Sequence, residues 1–293
     1  MSRSATGDSL SSGRSYLASR VFGWVCAAAT AVCVLALVGL ISTVVVHGAP
    51  WVSWTLLTQP TSLDPEKAGI YPALVGSVWL IAITALFSIP TGVGAAIYLE
   101  EYAGASWWRR SVQLNISNLA GVPSIVYGIL GLGLFVRAMA LERSVLAGAL
   151  TLSLVVLPIV ILATQEALRS VPSTIRQASY ALGATRWQTI SRQVLPAALP
   201  GVMTGVILAI ARALGEAAPL VAVGAAVAVW HTPVSVLDEF SALPLQIFTW
   251  AADAQKEFHG LASAAILVLL TLLIALNAGA VFVRAKWGRR IKW

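Results

Sequence analysis

The chain has 293 residues, 58% of them apolar and 11% charged, with a formal net charge of +7. Soluble domains run at about 45–50% apolar and about 25% charged, so a water-soluble enzyme is excluded, and chain length is better counted in membrane spans. A nucleic-acid partner is excluded too, because no soluble face groups basic with aromatic residues. The basic excess instead reports topology, since Lys and Arg collect on the cytoplasmic side of a membrane protein.

Residues 1–20, rich in Ser and Arg, read as a disordered cytoplasmic tail. A helix needs about 20 apolar residues to cross about 30 Å of hydrocarbon. Six runs qualify, at 21–46, 70–99, 116–136, 145–168, 199–229 and 261–283, which predicts an all-α membrane protein of six transmembrane helices. The first run and an outer loop occupy 21–69, the main transmembrane domain 70–284, and a basic cytoplasmic tail 285–293. The first run is too long for the apolar core of a cleaved signal and shows no clear cleavage site, so it reads as a retained span. Its Cys26 and Cys33, seven residues apart on one helical face, read as small apolar packing residues.

With the N-terminus placed in the cytoplasm, only Lys67, Arg137, Arg143 and Lys256 of the nineteen Lys and Arg fall outside, and Arg212 falls within a span. Both termini of this multi-pass protein are then cytoplasmic. The outer loops are acidic and two are long, at 47–69 and 230–260. The second contains LPLQIFTWA (Leu243–Ala251), whose aromatics suit a membrane interface or a partner surface. The histidines, His47, His231 and His259, all lie at the outer side, form no HExxH zinc site, and are expected to bind no metal.

Small residues let helices approach in lipid, and the fifth run has a ridge of them at Gly201, Gly205, Ala209 and Ala213. The third is glycine-rich, at Gly121, Gly128, Gly131 and Gly133. Pro90, Pro123, Pro158 and Pro219 each free a backbone carbonyl that protein or water must satisfy, which ordinary packing or a translocation pathway would do. Arg212 and Glu216 stand in the middle of the fifth run. Each costs several kcal/mol at mid-bilayer, about 2.5–3.5 for Arg, and four residues apart they can pair. They read either as a structural salt bridge or as an Arg facing an anion pathway, and the two roles are compatible. Glu166, near the end of the fourth run, reads as snorkelling to the surface.

Residues 170–198 form the longest inner loop and read as two short amphipathic helices. Ser173 or Thr174 can cap the first, with Ile175, Ala178 and Leu182 on one face, and Gly183 ends it. Thr185 can cap the second, which carries Trp187, Ile190 and Val194 before Pro196 begins the next span. Periodicity alone leaves open whether this elbow lies on the membrane or inserts into a soluble partner.

The elbow resembles that of the binding-protein-dependent ABC permeases, whose loop reads Glu-Ala-Ala, three residues, Gly, nine residues, Ile-x-Leu-Pro. Here Gln177-Ala178-Ser179, Gly183 and Gln193-Val194-Leu195-Pro196 hold those places, with Gln177 replacing Glu and Gln193 replacing Ile. GVGAAIYLEEYA (Gly92–Ala103), AGVPSIVYGILGLGLF (Ala120–Phe135), SYALGATRWQTI (Ser179–Ile190), VLPAALPG (Val194–Gly201) and RALGEAAPL (Arg212–Leu220) are similar to phosphate-specific permease subunits. The LEEY form and LPLQIFTWA resemble the A-type more than the C-type. The resemblance implies the type I ABC importer permease fold, with loop 170–198 as a coupling-helix loop. It implies a heterodimer with a C-type permease, two ATPase subunits gripping the elbows, and an extracytoplasmic phosphate-binding protein. It places Gln177, Ala178, Ser179, Gly183, Ala184, Leu195 and Pro196 at the ATPase contact, and Arg212 and Glu216 on the phosphate pathway. No GxxxxGK[ST] phosphate loop is present, so the chain is not itself an enzyme, and ATP and Mg would be bound by the ATPase. The rival readings are an ABC permease for another oxyanion or small solute, a secondary transporter or channel that needs no ATPase, and, more remotely, an intramembrane enzyme.

Overall fold

The computed structural model describes residues 8–104, 106–225 and 231–288. These residues form helices, with one isolated antiparallel bridge between Ser144 and Glu239. Helix α1 (Asp8–Gly48) leads through a short 3-10 turn to α2 (Trp54–Thr58). The tail expected to be disordered over 1–20 is therefore helical from Asp8, while residues 1–7 lie outside the described residues. Once the apolar run is helical, lengthening it needs propagation alone and no new nucleus.

Helix α3 (Tyr71–Ile97) continues through a π-helical turn, Tyr98–Tyr102. The 116–136 run is not one straight span. It is split into α4 (Trp107–Leu119) and α5 (Ser124–Gly131, continued by a π-helical stretch to Ala138), which meet at 101°. Pro123 sits between them in an extended conformation, φ −55° and ψ 134°, and a proline also drives the residue before it away from helix.

Helix α6 (Val145–Arg169) matches its run closely. The elbow contains α7 (Ser173–Ala181) and α8 (Arg186–Thr189), and α8 passes through a π-helical turn at Ile190–Val194 straight into α9 (Leu195–Leu214). The expected 199–229 span therefore begins earlier and breaks at Gly215. A short α10 (Ala218–Val223) follows and stops at Gly224, whose φ is +86°. Residues 226–230, the end of that expected run, lie outside the described residues. The chain ends with α11 (Leu243–Ala251) and α12 (Lys256–Gly288). The basic tail expected over 285–293 is thus helical to Gly288, with the remainder outside the described residues.

Five of these helices are long and apolar enough to cross a membrane, and six spans result if the bent α4–α5 pair is one. α6 is the core: 67% of its most apolar stretch is buried, against none of α1's. α3 and α9 both pack on α6. The ridge works as the spacing predicts, since a Cβ on Gly205 would lie 2.3 Å from the Ala163 methyl, and Ala209 and Ala213 are buried. Buried hydroxyls add interhelical bonds, as where Thr84 donates to the Ala149 carbonyl at 3.1 Å.

α11 is anchored in the fold along most of its length. Leu243, Leu245, Gln246 and Trp250 are buried, and Ser77 of α3 accepts the Leu243 N–H at 2.8 Å. Only the Phe248 ring is left largely outside. Trp250 finds Phe258 of α12, with ring centroids 6.0 Å apart, so one aromatic anchors α11 in the fold and the other faces outward.

Candidate functional site

Arg212 stands in the last turn of α9, and Glu216 just past the glycine that ends it. Arg212 Nε lies 3.3 Å from Glu216 Oε1. The sequence spacing assumed one unbroken helix. The pair survives the break because the chain still turns helically there, with Gly215 N–H donating to Arg212 O and Glu216 N–H to Ala213 O. The two side chains differ in exposure: Glu216 is 18% exposed and Arg212 54%. Glu216 thus orients Nε while the remaining guanidinium donors project outward, and a planar fork of that kind can bind an oxyanion through two parallel bonds. A guanidinium this exposed at membrane depth must face water or another protein surface. The cation also sits at the C-terminal, negative end of the α9 dipole. Beside it, α10 packs on α5, with Gly128 so near Pro219 that a Cβ would come within 2.7 Å of its backbone.

The elbow is built as its pattern predicts in three places. Gly183 takes φ +78°, which ends α7. Thr185 and Gln188 form a reciprocal capping box at the start of α8. Ala178 lies on an exposed face that also carries Leu182, 89% exposed. The first cap differs: Pro172 occupies it, and neither Ser173 nor Thr174 bonds the helix end.

Ser179 Oγ and Thr189 Oγ1 stand 2.8 Å apart and tie α7 to α8. Ala178, Ser179, Gly183 and Ala184 share the wall of one open cleft of about 540 Å³, with Ile175 and Leu182 beside them. Gln177 is exposed outside that cleft, and Leu195 and Pro196 lie half-buried in the first turn of α9. The elbow and the Arg212 pair are not one site. Pro196 and Arg212 belong to the same helix, and at 1.5 Å per residue their separation is about 24 Å.

A third cluster escaped the sequence reading. The π-helical turn after α3 presents Glu100 and Glu101 in different directions. Glu100 Oε2 meets Arg109 of α4 at 3.0 Å and Arg169 of α6 at 3.1 Å. Glu101 Oε1 meets Arg176 of α7 at 2.7 Å. Arg186 lies over the Tyr102 ring, 5.7 Å from its centroid. Glu166, expected at the surface, is exposed and pairs with Arg169 at 3.0 Å. The available signal was two adjacent carboxylates closing an apolar run at the end where basic residues gather.

The family model of the binding-protein-dependent transport system inner membrane component matches residues 88–289. The chain is 35% identical over 241 residues to the phosphate transport system permease protein PstA 1 of Mycobacterium tuberculosis (strain CDC 1551 / Oshkosh), covering 81% of this chain and 77% of that one. It is 32% identical over 268 residues to the phosphate transport system permease protein PstA of Xylella fastidiosa (strain Temecula1 / ATCC 700964), covering 89% and 93%. Among solved structures, the MetNI methionine ABC transporter in an inward facing conformation aligns with a TM-score of 0.62 at 18% identity, covering 74% of this chain and 97% of that one. That likeness is one of fold.

Proposed function

The chain belongs to the family of binding-protein-dependent transport system inner membrane components, and from that premise we propose that it is the A-type permease subunit of an ATP-driven importer of inorganic phosphate. It is a multi-pass membrane protein with the type I ABC importer permease fold. The observation that carries the substrate is its identity of 32–35% to two phosphate permeases across most of its length. The exposed fork of Arg212, braced by Glu216, supports the same reading.

In this reading a C-type permease completes the pathway, and Arg212 receives the anion at the break between α9 and α10. Two ATPase subunits hold the elbows and bind ATP and Mg. An extracytoplasmic protein delivers phosphate, and both termini of this chain are cytoplasmic. The helix is unbroken from Arg186 through Leu214. Displacement of an elbow by nucleotide-driven closure is therefore delivered along one rod to the end that carries Arg212, and alternating access follows.

The test is copurification of the tagged chain in mild detergent, followed by ATP hydrolysis measured with the loaded binding protein. Recovery of a second permease and an ATPase, stimulated by phosphate and not by sulfate, is the expected outcome. A chain that purifies without an ATPase yet moves solute in vesicles would make it a secondary carrier. Equal stimulation by sulfate would remove the assignment to phosphate. Tags on both termini should resist protease added from outside to whole spheroplasts, and cleavage there would reverse the topology.

A further inference from the structure

α9 is continuous with the elbow, but α3 is not, although both pack on α6. α3 touches α9, where Val93 and Val206 pack on the same cluster, but the turn that ends it, at Tyr98–Tyr102, has no chain link of its own to the elbow. α7 buries none of its residues fully, although Ile175 packs half-buried against the cluster around Leu168 and Val194. Ser179 ties α7 to α8, and its link to the turn after α3 is Arg176, which neighbours Gln177 of the docking loop.

Arg176 donates Nε to Glu101 Oε1 at 3.1 Å and Nη2 to the same oxygen at 2.7 Å. Its Nη1 donates to the Val171 carbonyl at 2.9 Å and its Nη2 to the Leu168 carbonyl at 3.0 Å. One guanidinium thus joins α7, the end of α6 and the turn after α3. The pair is well shielded, with 7% of the Glu101 side chain and 20% of the Arg176 side chain exposed. Such a pair contributes weakly to net stability against an apolar replacement, yet losing one partner leaves an uncompensated charge. What it supplies is fixed geometry. The carboxylate belongs to a π-helical turn, a local widening frequent at functional positions.

We infer that the Glu101–Arg176 pair is a strut that carries elbow displacement into α3, so that α3 and α9 move as a unit on α6. Arg176 and Glu101 are positioning residues, whose polar atoms are engaged with each other and with the Leu168 and Val171 carbonyls. The inference rests on the reading of the elbow as the ATPase contact.

The experiment uses the complete importer in liposomes and reads phosphate moved per ATP hydrolysed, together with the yield of assembled complex. E101Q keeps the size and removes the charge. It is expected to assemble and hydrolyse ATP while phosphate per ATP falls about tenfold, within the usual range of coupling between sites. E101D keeps the charge but shortens the reach, and the same direction of loss is expected, which covers the case in which E101Q fails to assemble. Reversing both charges, E101R with R176E, should recover part of the ratio that either single reversal loses. E166Q, at an exposed pair, should leave the ratio unchanged.

A wild-type ratio in E101Q or in E101D would overturn the strut. So would a loss confined to yield, with the surviving complexes fully coupled, because that marks a merely structural pair. A wild-type complex whose ATP hydrolysis ignores phosphate would overturn the underlying reading as well, and would be seen before any variant is made.

Discussion

Arg212 uses one of its donors on Glu216 and keeps the rest of its fork outward. The expected effects follow from that division. Arg212→Ala should abolish phosphate uptake while the complex still assembles. Hydrogen bonds to charged groups are worth about 1.5–3 kcal/mol, or about tenfold and more in binding. Arg212→Lys keeps the charge and loses the fork, so it should take up phosphate more slowly than the natural chain and faster than the alanine variant. Normal uptake by Arg212→Ala would remove it from the pathway. Glu216→Gln has to be read for expression first, since the carboxylate is mostly shielded and its loss frees a guanidinium at membrane depth.

The pair was legible because i, i+4 spacing needs only local geometry, and the chain keeps turning through the break at Gly215 that lies between the two. Glu101 and Arg176 were not legible, because nothing in spacing relates residues so far apart in the chain; only the fold of α3 against α6 brings them together. Outside the spans, Asp238 accepts the backbone N–H of Ser235 and of Val234, and these bonds hold its carboxyl below the usual carboxylate range. A depressed value in the folded loop means a stabilising contribution that is present at neutral pH and is lost as pH falls through the folded value. Proteolysis of the loop over 231–242 should therefore rise in acid, and Asp238→Ala should show the same susceptibility already at neutral pH.

Among the elements, the elbow was the most legible, because its signals are short-range. A capping box and a left-handed glycine each specify a helix end within four residues. A Cβ on Gly183 would meet nothing within 4 Å, so the requirement is its φ of +78° and not space. Left-handed backbone costs an ordinary L-residue about 1–2 kcal/mol. Gly183→Val should accordingly lose copurifying ATPase, whereas Gly183→Asn, which tolerates that backbone, should retain it. If valine there bound ATPase and transported normally, the docking role of the turn would fail.

The ridge on α9 obeys the opposite logic: Gly205 is helical and its need is room. Gly205→Leu, driven against Ala163, should cut the yield of folded chain sharply in detergent. The two misread spans failed for one reason, and the half-right reading of α11 for another. A hydropathy run averages over Pro123 and Gly215, and the aromatics of α11 look the same whether they face lipid headgroups or Phe258. Local backbone at Pro123 and Gly215 decides the breaks, and tertiary packing decides where the α11 aromatics go.

Across the whole molecule, the two breaks mark the face on which the proposed second permease would sit. A membrane span tolerates non-helical backbone only when protein or water covers it, and the chain is non-helical both before α5 and before α10. Those two short helices pack on each other, and the outer side of α5 exposes Val126, Ile129 and Leu130. α1 exposes just as much apolar surface, with Leu35 and Leu40 well out of the fold. It has no break, however, so lipid alone satisfies it.

Exposure by itself therefore does not mark the partner; the breaks do. With Cys26 and Cys33 replaced by Ser, a single cysteine at Ile129 should cross-link to the second permease in native membranes, and one at Leu35 should instead react with a lipid-soluble maleimide. The reverse pattern would place the partner on α1 and leave the α5 and α10 breaks to be covered by water alone. Arg212 would then open onto a pathway enclosed by this chain without a second wall.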